Sequence, residues 1–214
     1  PIGLAAGRDG EVLVTDADLA RVFRLAPDGN PLGEFGAGVL QRPTGIVRDA
    51  ARGRIYVADT HAHDIKVFDD AGQLVATWGV RGEERGELNY PTHLALSEGM
   101  LVVSDSMNAR VQGFDGAGKP VLNFGKRGLY VGNMVRPKGV AADDEGNLYV
   151  VESMHDTLLV YDREGRLLMS LGGTDGDAGR FYLPAGVWID GRNRVFVADM
   201  FNARVAVFQF LGGN

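Results

Sequence analysis

Nine positions in this chain have side chains suited to chemistry. Five are carboxylates, Asp16, Asp59, Asp105, Glu152 and Asp199, and four are imidazoles, His61, His63, His93 and His155. Paired carboxylates can act as general acid and base, and histidines can relay protons or hold a metal. The spacing argues against both uses. The carboxylates fall 43, 46, 47 and 47 residues apart, one per recurring segment rather than in pairs. A carboxylate repeated at that interval serves a corner that every segment needs. It can accept backbone N–H bonds in the following loop or meet the arginine five residues on, at Arg21, Arg110 and Arg204. Asp64 and Thr157 occupy the arginine position in two segments, so those corners must close differently. His61 and His63 form an i, i+2 pair of the kind that can chelate a metal, but their loop position reads as solvated. His155 stands where Asn108 and Asn202 stand elsewhere, which suits loop hydrogen bonding. His93 is the one position where zinc is considered, and a catalytic zinc needs three protein ligands plus water. Gly172 to Asp177 resembles a calcium turn but offers two carboxylates and no bidentate glutamate at the right offset. No phosphate-binding loop, G-x-S-x-G elbow or H-E-x-x-H motif is present. No catalytic residue, zinc, calcium or other cofactor is expected.

The elements that carry these positions recur in phase. Similar tripeptides open at Pro1, Pro43, Pro91, Pro137 and Pro184, spaced 42, 48, 46 and 47 residues apart. The carboxylate follows each proline by 14 to 16 residues, and Phe35-Gly36, Trp78-Gly79, Phe124-Gly125 and Leu171-Gly172 close the first four units. Before each carboxylate runs a β-branched and aromatic segment such as Arg54-Ile55-Tyr56-Val57-Ala58-Asp59 or Asn147-Leu148-Tyr149-Val150-Val151-Glu152. A further strand follows, as in Ile65-Lys66-Val67-Phe68 and Leu158-Leu159-Val160-Tyr161. Glycine pairs such as Asp9-Gly10, Glu98-Gly99, Asp28-Gly29 and Glu164-Gly165 supply the turns. Four short strands in about 46 residues predict a β-propeller blade. The units are 1–42, 43–90, 91–136, 137–183 and 184–214, read as one domain, with the fifth lacking its outermost strand.

Composition bounds the function. The 214 residues carry 22 Lys and Arg against 28 Asp and Glu, a net charge of −6. That disfavours nucleic acid and an anionic membrane surface as partners. The absence of cysteine removes disulfides and thiolate chemistry. No apolar run is long enough to span a bilayer as a helix.

The order of landmarks, P-x-G-[IV], then [IL]-Y-V-x-[DE]-[ST], then V-F-D, then [FW]-G, resembles the NHL repeat. Pro43-Thr44-Gly45-Ile46, Ile55-Tyr56-Val57-Ala58-Asp59-Thr60, Val67-Phe68-Asp69 and Trp78-Gly79 carry it most fully. The resemblance implies an all-β propeller of four-stranded antiparallel blades. NHL propellers are usually six-bladed, so an incomplete six-bladed ring is one expectation, with a closing strand or blade upstream of Pro1. An unlatched five-bladed ring, or an arc whose open edges associate with another chain, are the others. NHL-type amidating lyases hold zinc with histidines at channel-mouth positions, where this chain has His93 against Gly3, Gly45, Gly139 and Gly186. Secreted and periplasmic NHL propellers have a similar composition, which implies a periplasmic or extracellular setting.

In a propeller the loops after the carboxylates and the loops between blades share one face. Met107, Asn108, Met154, His155, Met200, Phe201, Asn202 and His61 are expected there, with Tyr90, Thr92, His93, Tyr130, Arg136, Lys138, Phe181 and Tyr182 beside them. A methionine-rich surface suits a protein partner. The opposing reading packs each methionine under the neighbouring blade. The functional expectation is therefore a non-enzymatic protein-interaction scaffold. The alternative is a metal-dependent lyase or lactonase with a site in the central channel. RNA binding is disfavoured because Glu83, Glu84, Glu87, Asp175 and Asp177 share the inter-blade loops with the basic residues.

Overall fold

The computed structural model describes residues 1–173 and 179–209. The chain divides into two compact units, Pro1–Leu94 and Ala95–Asn214, the boundary falling within the third repeat. It is all-β, with two short 3-10 turns at Ser106–Asn108 and Met200–Asn202.

The first repeat forms β1 (Leu4–Ala6), β2 (Val12–Asp16), β3 (Arg21–Leu25) and β4 (Pro31–Phe35). The second forms β5 (Pro43–Asp49), β6 (Arg54–Asp59), β7 (Asp64–Asp69) and β8 (Leu74–Trp78). The third forms β9 (Pro91–Ser97), β10 (Met100–Asp105), β11 (Arg110–Phe114) and β12 (Pro120–Phe124). The fourth forms β13 (Pro137–Ala142), β14 (Leu148–Glu152), β15 (Thr157–Tyr161) and β16 (Leu167–Gly172). The fifth shows β17 (Pro184–Ile189), β18 (Arg194–Asp199) and β19 (Arg204–Gln209) among the described residues. Each set is one sheet in sequence order. The expected absence of an outer strand in the fifth unit concerns residues 210–214, outside the described residues, as are residues 174–178 of the considered calcium turn.

Turn chemistry sets these meanders. Gly29, Gly72, Gly118 and Gly165 all have φ between 80° and 86° in the turns joining third and fourth strands. The pairing of those strands shifts register at the same place in each of the first four repeats, as a bulge after a tight turn requires.

The cores lie against the sheet faces. In β14, Leu148 and Val150 enter one cluster with Val102, Val111, Met134 and Leu159. Tyr149 and Val151 point the other way, into a second with Phe181, Val195 and Val197. A strand buried on both faces explains why these segments read as unbroken apolar runs. In the first unit, Leu13, Val22, Phe35, Ile46, Ile55 and Phe68 form the corresponding cluster, with the Phe35 and Phe68 rings edge to face at 5.0 Å.

At Gly45 and Gly139 the glycine of the P-x-G motif is a packing requirement. A Cβ at Gly45 would stand 2.5 Å from the Thr92 carbonyl oxygen and 2.8 Å from the His93 Cα. At Gly139 it would meet Val187 N at 2.6 Å and Gly186 Cα at 2.7 Å. Successive innermost strands therefore approach backbone to backbone, which only glycine permits.

Candidate interaction face

The recurrent carboxylates are buried anchors. Asp59, Asp105, Glu152 and Asp199 have no exposed surface, which requires that their oxygens be hydrogen-bonded. Asp59 accepts N–H bonds from Gln41 (2.8 Å) and Arg42 (2.7 Å). Glu152 accepts them from Arg136 (2.5 Å) and His155 (2.9 Å), and its other contact is with His155 Nδ1 at 3.0 Å. Asp199 accepts from Tyr182 N–H (2.7 Å), Asn202 Nδ2 (2.8 Å) and Arg204 Nε (2.8 Å). Asp105 accepts from Asn108 Nδ2 (2.8 Å) and Arg110 Nε (2.7 Å). Asp59, Glu152 and Asp199 thus each grip the loop leading into their own blade, a partner the local spacing did not reveal. Burial works to raise the pKa of Asp199, but the bonds from Tyr182, Asn202 and Arg204 outweigh it and leave the group below its usual range.

Two of the three expected arginine partners are in place, Arg110 and Arg204. Arg21 is not. Asp16 is already engaged by the Leu19 N–H (2.9 Å) and Asp18 N–H (3.0 Å). Those contacts hold its pKa low, the Leu19 bond foremost. Arg21 instead pairs with Glu34 on neighbouring β4, at 2.5 Å.

The two units without the arginine close their corners through the preceding residue. Every loop after a carboxylate contains one residue in the left-handed region: Ala20, His63, Ala109, Asp156 and Ala203, with φ between 48° and 60°. Where it is not alanine its side chain reaches onward. His63 Nδ1 accepts the Tyr90 N–H at 3.2 Å, and Asp156 Oδ1 accepts the Leu183 N–H at 2.7 Å. Tyr90 and Leu183 are themselves left-handed, at φ 52° and 47°, immediately before Pro91 and Pro184. A residue before proline resists helical conformations, so these caps hold a strained junction. Asp64, in the arginine position, pairs with Lys66. Its burial, more than any neighbouring charge, raises its pKa despite that lysine.

Hydroxyls complete the corners. Thr60 Oγ1 donates to the Pro91 carbonyl (2.7 Å) and Ser106 Oγ to that of Pro137 (2.6 Å). In the second and third repeats the Ser or Thr after the acid thus bonds the proline that opens the next repeat, whereas Ser153 Oγ donates to the Arg136 carbonyl at 3.3 Å.

On these corners the expected face residues separate into groups. Met107, Met154, Met200 and Phe201 are 43% to 58% exposed. In the first unit His61, His63 and Tyr90 come together, the Tyr90 ring edge-on to His63 at 4.4 Å and to His61 at 6.1 Å. In the second, Met107 lies beside the next inter-blade loop, its carbonyl accepting Arg127 Nη2 at 2.5 Å. Tyr182 and Phe201 pack with their rings tilted at 46° and 5.2 Å between centroids, with Met200 adjacent in sequence. Asn108 and Asn202 serve the carboxylates, as above, and Arg136 is exposed while its N–H is bound to Glu152. Phe181 is not on the face: it is buried in the core, 5.8 Å from the Phe208 ring.

His93 is half-buried in β9. Among the described residues no three His, Asp or Glu side chains converge in a way that could hold a metal. No helix among the described residues is long and apolar enough to cross a membrane.

The NHL repeat model matches residues 40–68. The same landmarks recur through the other repeats, so the chain carries NHL-type repeats, each folded as an antiparallel β-meander of the kind that forms a propeller blade. Among solved structures it is similar to a catalytically inactive virginiamycin B lyase from Staphylococcus aureus solved with quinupristin. That match has 16% identity, covers 97% of this chain and 69% of the lyase, and has a TM-score of 0.73. A streptogramin B lyase matches at 12% identity over 100% of this chain and 70% of that one, TM-score 0.73. A protein of unknown function from Bacteroides caccae matches at 16% identity over 92% and 69%, TM-score 0.70. At such identities the likeness is one of fold.

Proposed function

We propose that the chain is a non-enzymatic scaffold that presents the loops at one end of its blades to a protein partner. The observation that carries this reading is the exposure of Met107, Met154, Met200 and Phe201 next to carboxylates that are wholly buried. A fixed corner lowers the entropy cost of presenting an apolar side chain, and methionine adapts to the surface it meets. The scaffold needs no metal or other cofactor.

A second reading is favoured by the lyase fold likeness. It makes the chain a metal-dependent lyase or lactonase, although among the described residues no three His, Asp or Glu side chains gather around His93.

The test is cross-linking in cells of the native chain and of a Met107→Ser, Met154→Ser, Met200→Ser, Phe201→Ser variant. The scaffold reading expects one defined protein cross-linked to the native chain and lost from the variant, with the melting temperature unchanged. The capture should also resist added salt in an Arg42→Ala, Arg136→Ala, Lys138→Ala variant. Equal capture by the native chain and the serine variant would refute it. Cleavage of quinupristin by the native chain, abolished by His93→Ala, would replace it with the lyase reading.

A further inference from the structure

Two inter-blade loops share one backbone frame. In residues 80–88 the Leu88 N–H bonds Val80 O (2.8 Å), Gly82 N–H bonds Leu88 O (3.1 Å) and Glu87 N–H bonds Glu84 O (3.0 Å). In residues 126–134 the Met134 N–H bonds Lys126 O (2.9 Å), Gly128 N–H bonds Met134 O (3.2 Å) and Asn133 N–H bonds Tyr130 O (2.9 Å). Gly86 and Gly132 occupy the same turn position at φ 90° and 84°. Leu88 and Met134 are both fully buried and fasten the second limb.

The tips differ. The first carries Glu83-Glu84-Arg85, as solvent favours. The second carries Leu129-Tyr130-Val131, 78% to 85% exposed. The frame does not require apolar residues there, because the charged tip fits it equally well. Three adjacent, almost wholly solvated apolar side chains fill no gap in the protein and stand out from it. The base beneath them is fixed, with the Tyr161 hydroxyl donating to Gly132 O at 3.0 Å.

The charge around this tip runs against that of the chain. Residues 116–142 contain no acidic residue, and Lys126, Arg127, Arg136 and Lys138 flank the loop. Glu152, which binds the Arg136 N–H, is fully buried. A projecting apolar tip with a basic collar matches an anionic bilayer surface, which offers an apolar interior beneath a layer of phosphates. The net charge of −6 argues against such a surface for the chain as a whole. Screening over a Debye length of about 8 Å makes charges close to the contact count for more than the net charge.

We propose that the loop 126–134 docks this protein reversibly onto an anionic lipid bilayer. Leu129 and Val131 enter the acyl boundary, Tyr130 sits at head-group level, and the exposed Lys126, Arg127 and Arg136 meet lipid phosphates. This goes beyond the scaffold reading and does not depend on it.

The test is flotation of the full chain with vesicles of phosphatidylcholine containing about one third phosphatidylglycerol, at low and high salt. The native chain should float with these vesicles and bind several-fold less to pure phosphatidylcholine or at about 0.5 M salt. A Leu129→Glu, Tyr130→Glu, Val131→Arg variant installs residues that the sister loop already carries on this frame, so its fold is preserved. It should lose about tenfold in binding. A Leu129→Ser, Tyr130→Ser, Val131→Ser variant should fall comparably, which separates apolar insertion from charge. Failure of the native chain to float, equal binding to neutral vesicles, or unaltered binding by the serine variant would each overturn the proposal. In the first case an apolar site on a protein becomes the expected occupant of the tip.

Discussion

Replacing Asp156 by alanine isolates one hydrogen bond that a whole junction rests on. Alanine already occupies the equivalent left-handed position at residues 20, 109 and 203, so the substitution adds no new backbone strain. What is lost is the Oδ1 acceptor for the Leu183 N–H at 2.7 Å. A bond to a charged acceptor contributes about 1.5–3 kcal/mol. Leu183 sits at φ 47° before Pro184, a conformation that costs about 1 kcal/mol or more and persists only when clamped. Partial relaxation there recovers some of the loss, which leaves an expected cost of about 2 kcal/mol. Asp156→Asn keeps a carbonyl acceptor and should cost about 1 kcal/mol or less. His63→Ala removes the equivalent, longer 3.2 Å bond and the edge contact with Tyr90. It should cost about 1.5–2 kcal/mol. The assay is urea unfolding with the slope held constant, together with exchange of the Leu183 amide hydrogen. An Asp156→Ala protein within about 0.5 kcal/mol of the native one, or one no worse than Asp156→Asn, would refute the idea that this side chain closes the corner.

The P-x-G glycines should respond oppositely at different repeats. Gly45→Ala drives a Cβ into the backbone of residues 92 and 93 and should cost about 3 kcal/mol or more. Gly186→Ala meets only Ala198 Cβ at 3.8 Å and should be near neutral, both read from thermal melts. Thr60→Val keeps the shape but removes the bonds to Pro91 O and Thr44 Oγ1, which should cost about 2 kcal/mol in urea. Acid should act in two directions. Asp16, Asp70 and Asp199 are held below the ordinary value of 3.8, so their stabilisation is complete above that value and is lost as pH falls through their lowered values. Asp64 is raised above 3.8, so its ionisation costs stability as pH rises through the raised value. Asp64→Asn should therefore gain more over the native chain at neutral pH than in acid; the same gain at both would show that burial of this charge is not the cause.

The sequence made the repeats legible because three landmarks recur in phase and each is enforced locally. A glycine in a turn, a proline at a strand start and an arginine five residues past an acid all act within one hairpin. That is why Arg110 with Asp105 and Arg204 with Asp199 could be anticipated. Arg21 failed for a local reason too: nearby N–H groups already occupy Asp16, and Glu34 lies within reach on the next strand. The contacts that escaped notice join one repeat to the next. Thr60 reaches Pro91, Asp156 reaches Leu183, and Asp59 reaches back to Gln41. No periodicity states which corner meets which loop. A signal was nonetheless present in residue type, since His63 and Asp156 interrupt a series of alanines in the two repeats that also lack the arginine.

The same logic separates structural from functional residues on the candidate face. Polar side chains there are mostly consumed by the corners: Asn108 and Asn202 by their acids, and His155 by Glu152. They would be expected at those places in any blade of this design, whatever it binds. The apolar side chains are not consumed. Met154 and Met200 contribute little to burial, and the tip at Leu129 to Val131 replaces a charged tip on an identical frame. Residues that the fold could exchange for charge without loss, yet that remain apolar and exposed, are where function is to be sought. The methionines bear on the scaffold reading and the loop tip on the membrane one, and because they lie on different loops, substitutions can test the two independently.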